Sequence, residues 1–253
     1  MTTVMMMDAA DFYTGIVAES YALLKSEDFP AERYADFIAA SGEPALELGC
    51  GDGDPLLELR RRGFDVEGVD ASADLLARCA ARAEAAGLEV VTHQQRFEEL
   101  DLSRSYRSIF LAGPTLNLLP NDDLALLALR RVREHLADDG SVLVPLWVPA
   151  PAGPEEFGAV REATADDGSR LTFVALSEDY DAQRRTRTTA VRYGRHTAEG
   201  EELTDRDWVI HWHTQESFAG LAREAGLQVA DLTDLHGSPV TGDEEQFTFT
   251  LTR

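Results

Sequence analysis

The residues Ala45-Leu46-Glu47-Leu48-Gly49-Cys50-Gly51-Asp52-Gly53 run from a short apolar segment into a glycine turn that leads toward a helix. Glycines at 49, 51 and 53 let backbone approach a ligand closely and adopt angles that a side chain forbids. Asp70 stands 19 positions beyond Gly51 and closes a second apolar run. Nucleotide-binding α/β folds place an acid there to accept hydrogen bonds from ribose hydroxyls. The glycine spacing then discriminates between nucleotides. Dinucleotide sites use G-x-G-x-x-G to meet a pyrophosphate at a helix start. Gly49, Gly51 and Gly53 give G-x-G-x-G instead, with Glu47, Asp52 and Asp54 around the turn. Acids in that place repel pyrophosphate and suit a ligand that carries an ammonium and a sulfonium. S-adenosylmethionine carries both.

Methyl transfer is an in-line displacement at carbon, so a protein mainly aligns donor and acceptor, and helps remove a proton where the acceptor needs it. Pro114, Thr115, Leu116 and Asn117 follow an expected strand at the carboxyl edge where ligands bind in open α/β sheets. Asn117 can orient an acceptor but is no effective base. Val209, His211 and His213 share one face of a later expected strand, with Trp208, Ile210 and Trp212 on the other. His211 is a candidate proton acceptor, and His211 with His213 a candidate substrate contact. A metal is not expected, because two histidines with no Cys or third His nearby fall short of a ligand set. Cys50 and Cys79 read as packing residues, and His93, His135, His196 and His236 are assigned no role.

The elements that would hold these groups alternate. Residues 1 to about 40 suggest a helical cap with scattered aromatics Phe12, Tyr13, Tyr21, Phe29 and Tyr34. Strands are expected at 45–48, 66–69, 88–91 and 109–112, and helices at 56–62, opened by Pro55, and at 73–86. Asn121 or Asp122 caps a further helix, in which Leu129, Val132 and Leu136 keep helical spacing until Asp138-Asp139-Gly140 stops it. A fifth strand at 142–147 contains Pro145, which cannot donate to a sheet ladder. Past Pro149, Pro151 and Pro154, strand-like runs at 171–176, 187–193 and 208–212 suggest an antiparallel insertion. A helix at 215–225 and a strand at 247–251 complete the pattern. The expected fold class is α/β: a Rossmann-like core at 41–149 and 214–253, a cap at 1–40 and an insertion at 150–213.

A chain of 253 residues with 44% hydrophobic and 27% charged residues and two cysteines can bury a large core without disulfides. A reducing cytoplasm is its expected location. Residues 1–10 lack a basic segment and carry Asp8, so neither a signal peptide nor a span is expected there, and no stretch approaches the roughly 20 apolar residues a span needs. The formal charge is −23, with Lys25 the only lysine. Nucleic acid and anionic membrane are thus poor expected partners. A small-molecule acceptor is expected, with monomer and homodimer both open.

Glu47-Leu48-Gly49-Cys50-Gly51-Asp52-Gly53, followed by Gly68-Val69-Asp70-Ala71-Ser72, resembles the class I S-adenosylmethionine-dependent methyltransferases. The inserted strands make it similar in particular to the glycine and sugar-amine N-methyltransferases. The resemblance implies that Glu47 and the Gly49 to Gly53 backbone, Cys50 included, hold the methionine portion. It also implies that Asp70 holds the ribose, that Ala71 and Phe97 flank the adenine, and that Leu111 lies beneath. Tyr21 resembles a cap tyrosine over the cofactor, near the transferred methyl. Arg96 stands where the family commonly has an aspartate for the adenine amino group, and an arginine cannot accept that bond; a backbone carbonyl or Glu98 is left to do so. Leu118 stands where some sugar-amine relatives have a histidine. The acceptor site expected from all this joins Tyr21, Asn117, Trp147 and the His211 face. An NAD-dependent oxidoreductase and a non-catalytic S-adenosylmethionine-binding protein remain the alternatives.

Overall fold

A computed structural model describes residues 9–24, 29–235, 237–242 and 244–253; Asp8, Lys25 and His236 lie outside the described residues. Apolar runs that alternate with amphipathic helices build a sheet covered on both faces. Its strands are β1 (Ala45–Leu48), β2 (Val66–Asp70), β3 (Thr92–Gln94), β4 (Tyr106–Leu111), β5 (Leu136–Trp147), β10 (Gln228–Thr233) and β11 (Gln246–Thr252). They are ordered β10-β11-β5-β4-β1-β2-β3. Strands β1 to β5 pair in parallel, while β11 runs antiparallel to both β5 and β10. Chain direction away from β1 reverses between β1 and β4, which opens a crevice at their carboxyl ends.

Successive side chains of each strand point to opposite faces. Leu46, Leu48, Ile109, Leu111, Val142 and Val144 pack toward α6 (Asp122–His135) and α7 (Gln215–Glu224). Ala45, Phe110 and Leu143 pack toward α3 (Ala31–Ser41), α4 (Leu56–Arg61) and α5 (Ala73–Ala85). Tyr34 of α3 stacks on Phe110 with ring centroids 5.0 Å apart, so α3 covers the sheet. Within the described part of the expected cap, α1 (Ala9–Phe12) and α2 (Ile16–Leu24) contribute Phe12, Ser20, Tyr21 and Leu24 to the crevice. Two contacts moor them to the start of α5: Ser72 Oγ donates to the Tyr13 carbonyl at 2.5 Å, and Gly15 N donates to Asp74 Oδ2 at 2.7 Å.

The insertion is a four-stranded antiparallel sheet of β6 (Val160–Thr164), β7 (Arg170–Asp181), β8 (Thr186–Thr197) and β9 (Gly200–His211). The sequence pattern did not single out β6, a largely exposed edge strand. Phe12, Ile16 and Val17 of the cap pack on Val191, Tyr193 and Trp208 of this sheet, and Arg195 meets Glu19 at 2.5 Å.

The insertion strands run longer than the expected 171–176, 187–193 and 208–212, and two boundaries in the core differ. The third strand is Thr92–Gln94 and not 88–91, because Leu88 N still bonds the Ala83 carbonyl at the end of α5; Leu88 and Val90 pack on the core before pairing starts. Helix α6 ends at His135, and β5 begins at once, so Ala137 to Gly140 form an irregularity in the strand where Asp138-Asp139-Gly140 was expected to end a helix. Pro145 fits because Val148 N bonds the Glu245 carbonyl. That alternation puts Pro145 opposite Thr248 at a position where no N–H is needed, beyond the last β4 pair at Leu143.

Candidate active site

The crevice holds a cavity of about 330 Å³ with two chemically different halves. Its first half is built by the turn after β1. Gly49 and Gly51 line it with φ of +77° and +52°, in the left-handed region that glycine enters without a Cβ penalty. A Cβ on Gly49 would lie 2.6 Å from Thr115 Cγ2, so only a bare backbone lets the turn meet the loop after β4. Asp70 reaches the wall from the end of β2. Its Oδ2 accepts from Gly51 N and its Oδ1 from Ser72 N, each at 2.8 Å. Burial raises its carboxyl above the ordinary range, and the bonds from Ser72 and Gly51 oppose that. Ala71, Arg96, Phe97 and Glu98 continue the wall.

Glu47 stands behind the turn and outside the wall. It is fully buried and neither carboxylate oxygen has a partner. Burial, then the neighbouring Asp54, Asp70 and Asp52, push its carboxyl well above the usual range. Arg82 offsets Asp52 at 2.8 Å; no cation reaches Glu47 among the described residues. These groups fit S-adenosylmethionine: the buried Glu47, with no cation beside it, favours an ammonium or a sulfonium nearby, Asp70 offers its carboxylate to hydroxyls, and Glu98 can accept from an amino group where Arg96 cannot. Tyr21 of α2 roofs this half. Its ring meets Tyr13 edge-on at 5.7 Å, and burial raises its hydroxyl pKa, so it stays protonated.

The second half is aromatic. Phe12, Tyr13, Trp147, Phe173, Tyr193 and Trp208 line it, and Tyr193 meets Phe12 and Phe173 at 6.4 and 5.3 Å. Asn117 sits in a single 3-10 turn, Thr115–Leu118, after β4. Its Nδ2 donates to the Trp147 carbonyl at 2.6 Å. A carbonyl only accepts, so this bond fixes the amide's orientation and leaves Oδ1 buried with no partner.

Besides Glu47, four expected site residues do not line the cavity. His211 and His213 do not line the cavity: β9 presents Trp208 and Ile210 to it, and the His211 face turns toward α6. His211 Nε2 bonds Asp122 Oδ1 at 2.9 Å and His211 is 4% exposed, so a proton-acceptor role at the cavity has no geometric support. Leu111 packs in the core, and the next residue, Ala112, lines the cavity. Cys50 is buried and does not line the cavity; its Sγ, with Leu56, fills the space beside Gly68. Missed by the sequence pattern were Asp122, the partner of both histidines, and Arg185, which pairs with it. Those pairs join residues 63 and 89 positions apart, and no local signal announces them.

Comparison with known proteins finds methyltransferases. Residues 45–140 match a methyltransferase-domain family. A protein of Geobacillus sp. (strain WCH70), described as a methyltransferase, is 29% identical over 117 residues, 46% of this chain and 47% of that protein. The dTDP-3-amino-3,6-dideoxy-alpha-D-glucopyranose N,N-dimethyltransferase of Streptomyces fradiae is 30% identical over 166 residues, 62% of each chain. The chain thus spans less than two thirds of either curated relative. An S-adenosylmethionine-dependent methyltransferase from Clostridium acetobutylicum ATCC 824 superposes with a TM-score of 0.70 at 16% identity, covering 92% of this chain and 95% of that one.

Proposed function

We propose that this chain, whose residues 45–140 match a methyltransferase-domain family, moves a methyl group from S-adenosylmethionine to a nitrogen of a small amine. The observation that carries this is Asn117: a buried, orientation-fixed carbonyl oxygen with no partner, in the wall of the acceptor half. Leaving it unsatisfied costs about 1–3 kcal/mol, and an acceptor N–H relieves that cost. The name of the Streptomyces fradiae relative, which acts on an amino sugar, supports nitrogen as the atom methylated. A formal charge of −23 favours a small molecule over nucleic acid, and no helix among the described residues is long and apolar enough to cross a membrane.

When bound, S-adenosylmethionine supplies the electrophilic methyl. The protein's part is alignment. Asn117 Oδ1 accepts one N–H and turns the nitrogen lone pair toward the first half of the cavity, while the aromatic walls exclude water. Among the described residues no histidine lines the cavity, its carboxylates Asp54, Asp70 and Glu98 belong to the cofactor half, and burial pushes the Tyr13 hydroxyl up to about 12, so the amine arrives neutral and loses its extra proton after transfer. Across a series of amines, the pH at which kcat/KM levels off should therefore follow each acceptor's own pKa. A single fixed pH for all of them would indicate a base on the protein.

Parallel calorimetry with S-adenosylhomocysteine and NAD tests the cofactor: saturable binding of NAD alone would refute the assignment. Incubation with S-adenosylmethionine and a panel of amines, read by mass spectrometry, tests transfer, and tight cofactor binding without product would mark a non-catalytic binder. With an acceptor in hand, Asn117→Ala should lower kcat/KM about tenfold, the worth of a hydrogen bond of roughly 1.4 kcal/mol. Cofactor affinity should be unchanged.

A further inference from the structure

Behind the acceptor half, one carboxylate ties two walls of the cavity together. Asp122 opens α6, two residues after Pro120 and within the stretch that supplies Asn117, Leu118, Leu119 and Leu124 to the wall. Its partners all come from the insertion and the segment that leaves it. His211 Nε2 bonds Oδ1 at 2.9 Å, His213 Nδ1 lies 3.4 Å from the same oxygen, and Arg185 Nη2 holds Oδ2. Burial opposes ionisation of Asp122, yet the bonds from His211 and Arg185 outweigh it and hold its carboxyl below the usual range. Burial and the neighbouring His211 push His213 down to about 4, so His213 is neutral near pH 7, while Arg185 carries a standing positive charge.

Arg185 is built to stay there. It is the only non-glycine residue with positive φ among the described residues, at 57°, a conformation that persists when surrounding contacts over-determine it. Its carbonyl accepts from Trp212 N at 3.0 Å, and Nη1 reaches the Trp212 carbonyl at 3.4 Å and Ser217 Oγ at 3.2 Å. The ligand atoms of Asp122, His211 and His213 lie within 4.8 Å of one another, as a metal set would. A divalent ion there would have to sit against this guanidinium, and two cations at that range repel strongly. Arg185 is the cation of the cluster.

We propose that Asp122 and Arg185 are positioning residues for methyl transfer: together they set the distance between the Asn117 turn and the Trp208–Ile210 wall of β9, and so the fit and alignment of the acceptor. The proposal rests on the function given above. His211 and Ile210 are neighbours on opposite faces of β9, so the grip on His211 from one side fixes the cavity wall on the other. The glycine turn and Asp70 lie in the other half, outside this linkage.

Arg185→Gln and Asp122→Asn, each as the full chain, test it. Expected are a higher acceptor KM and a kcat/KM reduced on the order of tenfold, as small misplacements of reacting groups produce. The KM for S-adenosylmethionine and the calorimetric Kd for S-adenosylhomocysteine should stay within about twofold, and Arg185→Lys should recover part of the loss. A variant that merely folds less well would lower kcat and leave both KM values alone, which overturns the proposal. Hydrogen exchange on the S-adenosylhomocysteine-loaded protein gives a second readout that needs no acceptor. Exchange should quicken at 114–121 and 206–213 and hold steady at 45–72. A change confined to the 181–186 turn, or one spread over the whole chain, would also overturn it. Wild-type protein that fails to bind S-adenosylhomocysteine would instead overturn the methyltransferase assignment.

Discussion

Asp70→Ala should weaken S-adenosylhomocysteine binding by roughly ten- to a hundredfold and leave the far-UV circular dichroism spectrum unchanged. Hydrogen bonds to an ionised acceptor contribute about 1.5–3 kcal/mol, which is that span of affinity. Asp70 acts on the ligand and on the turn, because the same carboxylate accepts from Gly51 N and Ser72 N. Asp70→Asn separates the two: it keeps an oxygen for one of those amides but loses the charge. Its affinity should fall between those of wild type and Asp70→Ala. An alanine variant with wild-type affinity would remove Asp70 from the cofactor site.

Glu47→Gln should stabilise the ligand-free protein and weaken the cofactor complex. Burial and three nearby aspartates raise the folded-state pKa of Glu47. The unfolded chain ionises it near the ordinary carboxylate value, so between that pH and the raised value the unfolded state is favoured, and the penalty grows as pH rises. Glutamine fills the same space without the charge. At pH 7 the gain, the ionisation penalty that glutamine does not carry, should be on the order of 1–3 kcal/mol, seen as a Tm higher by several degrees. The difference should shrink as pH falls toward 4. A positively charged ligand nearby favours the carboxylate, so wild-type binding should release a proton, measurable as a dependence of binding heat on the buffer's ionisation enthalpy. Binding to the variant should not. Equal Tm values at pH 7 and at pH 4 would show that Glu47 carries no such penalty.

What the sequence showed and what it withheld follow from range. The turn from Glu47 to Gly53 and the acid at Asp70 lie within one strand–helix–strand unit, where spacing alone fixes geometry. Asn117 was placed by its position after a strand. Period two on β9 separated Trp208 and Ile210 from His211 correctly, but which face meets the cavity depends on how the inserted sheet docks, and that is decided by α1, α2 and Asp122 far away in sequence. The aromatic wall of Phe12, Phe173 and Tyr193 joins segments that no periodicity connects. Strand β3, Thr92-His93-Gln94, was hidden for a different reason: it pairs on one side only, with β2, and so carries little apolar character.

The division of the cavity between two sets of chain segments has an evolutionary consequence. Residues 45–98 supply nearly all of the acidic, glycine-lined half, whereas 12–13, 117–124 and 147–210 supply the aromatic half. Changes at distant sites without shared partners tend to add, so the second set can drift in shape and polarity while the donor half is left intact. A library restricted to Trp147, Phe173, Tyr193 and Trp208 would explore new acceptors on a constant donor platform. Transplanting residues 150–213 without their grip on Asp122 would lose the register between the two, so that one carboxylate limits how freely the insertion can be exchanged.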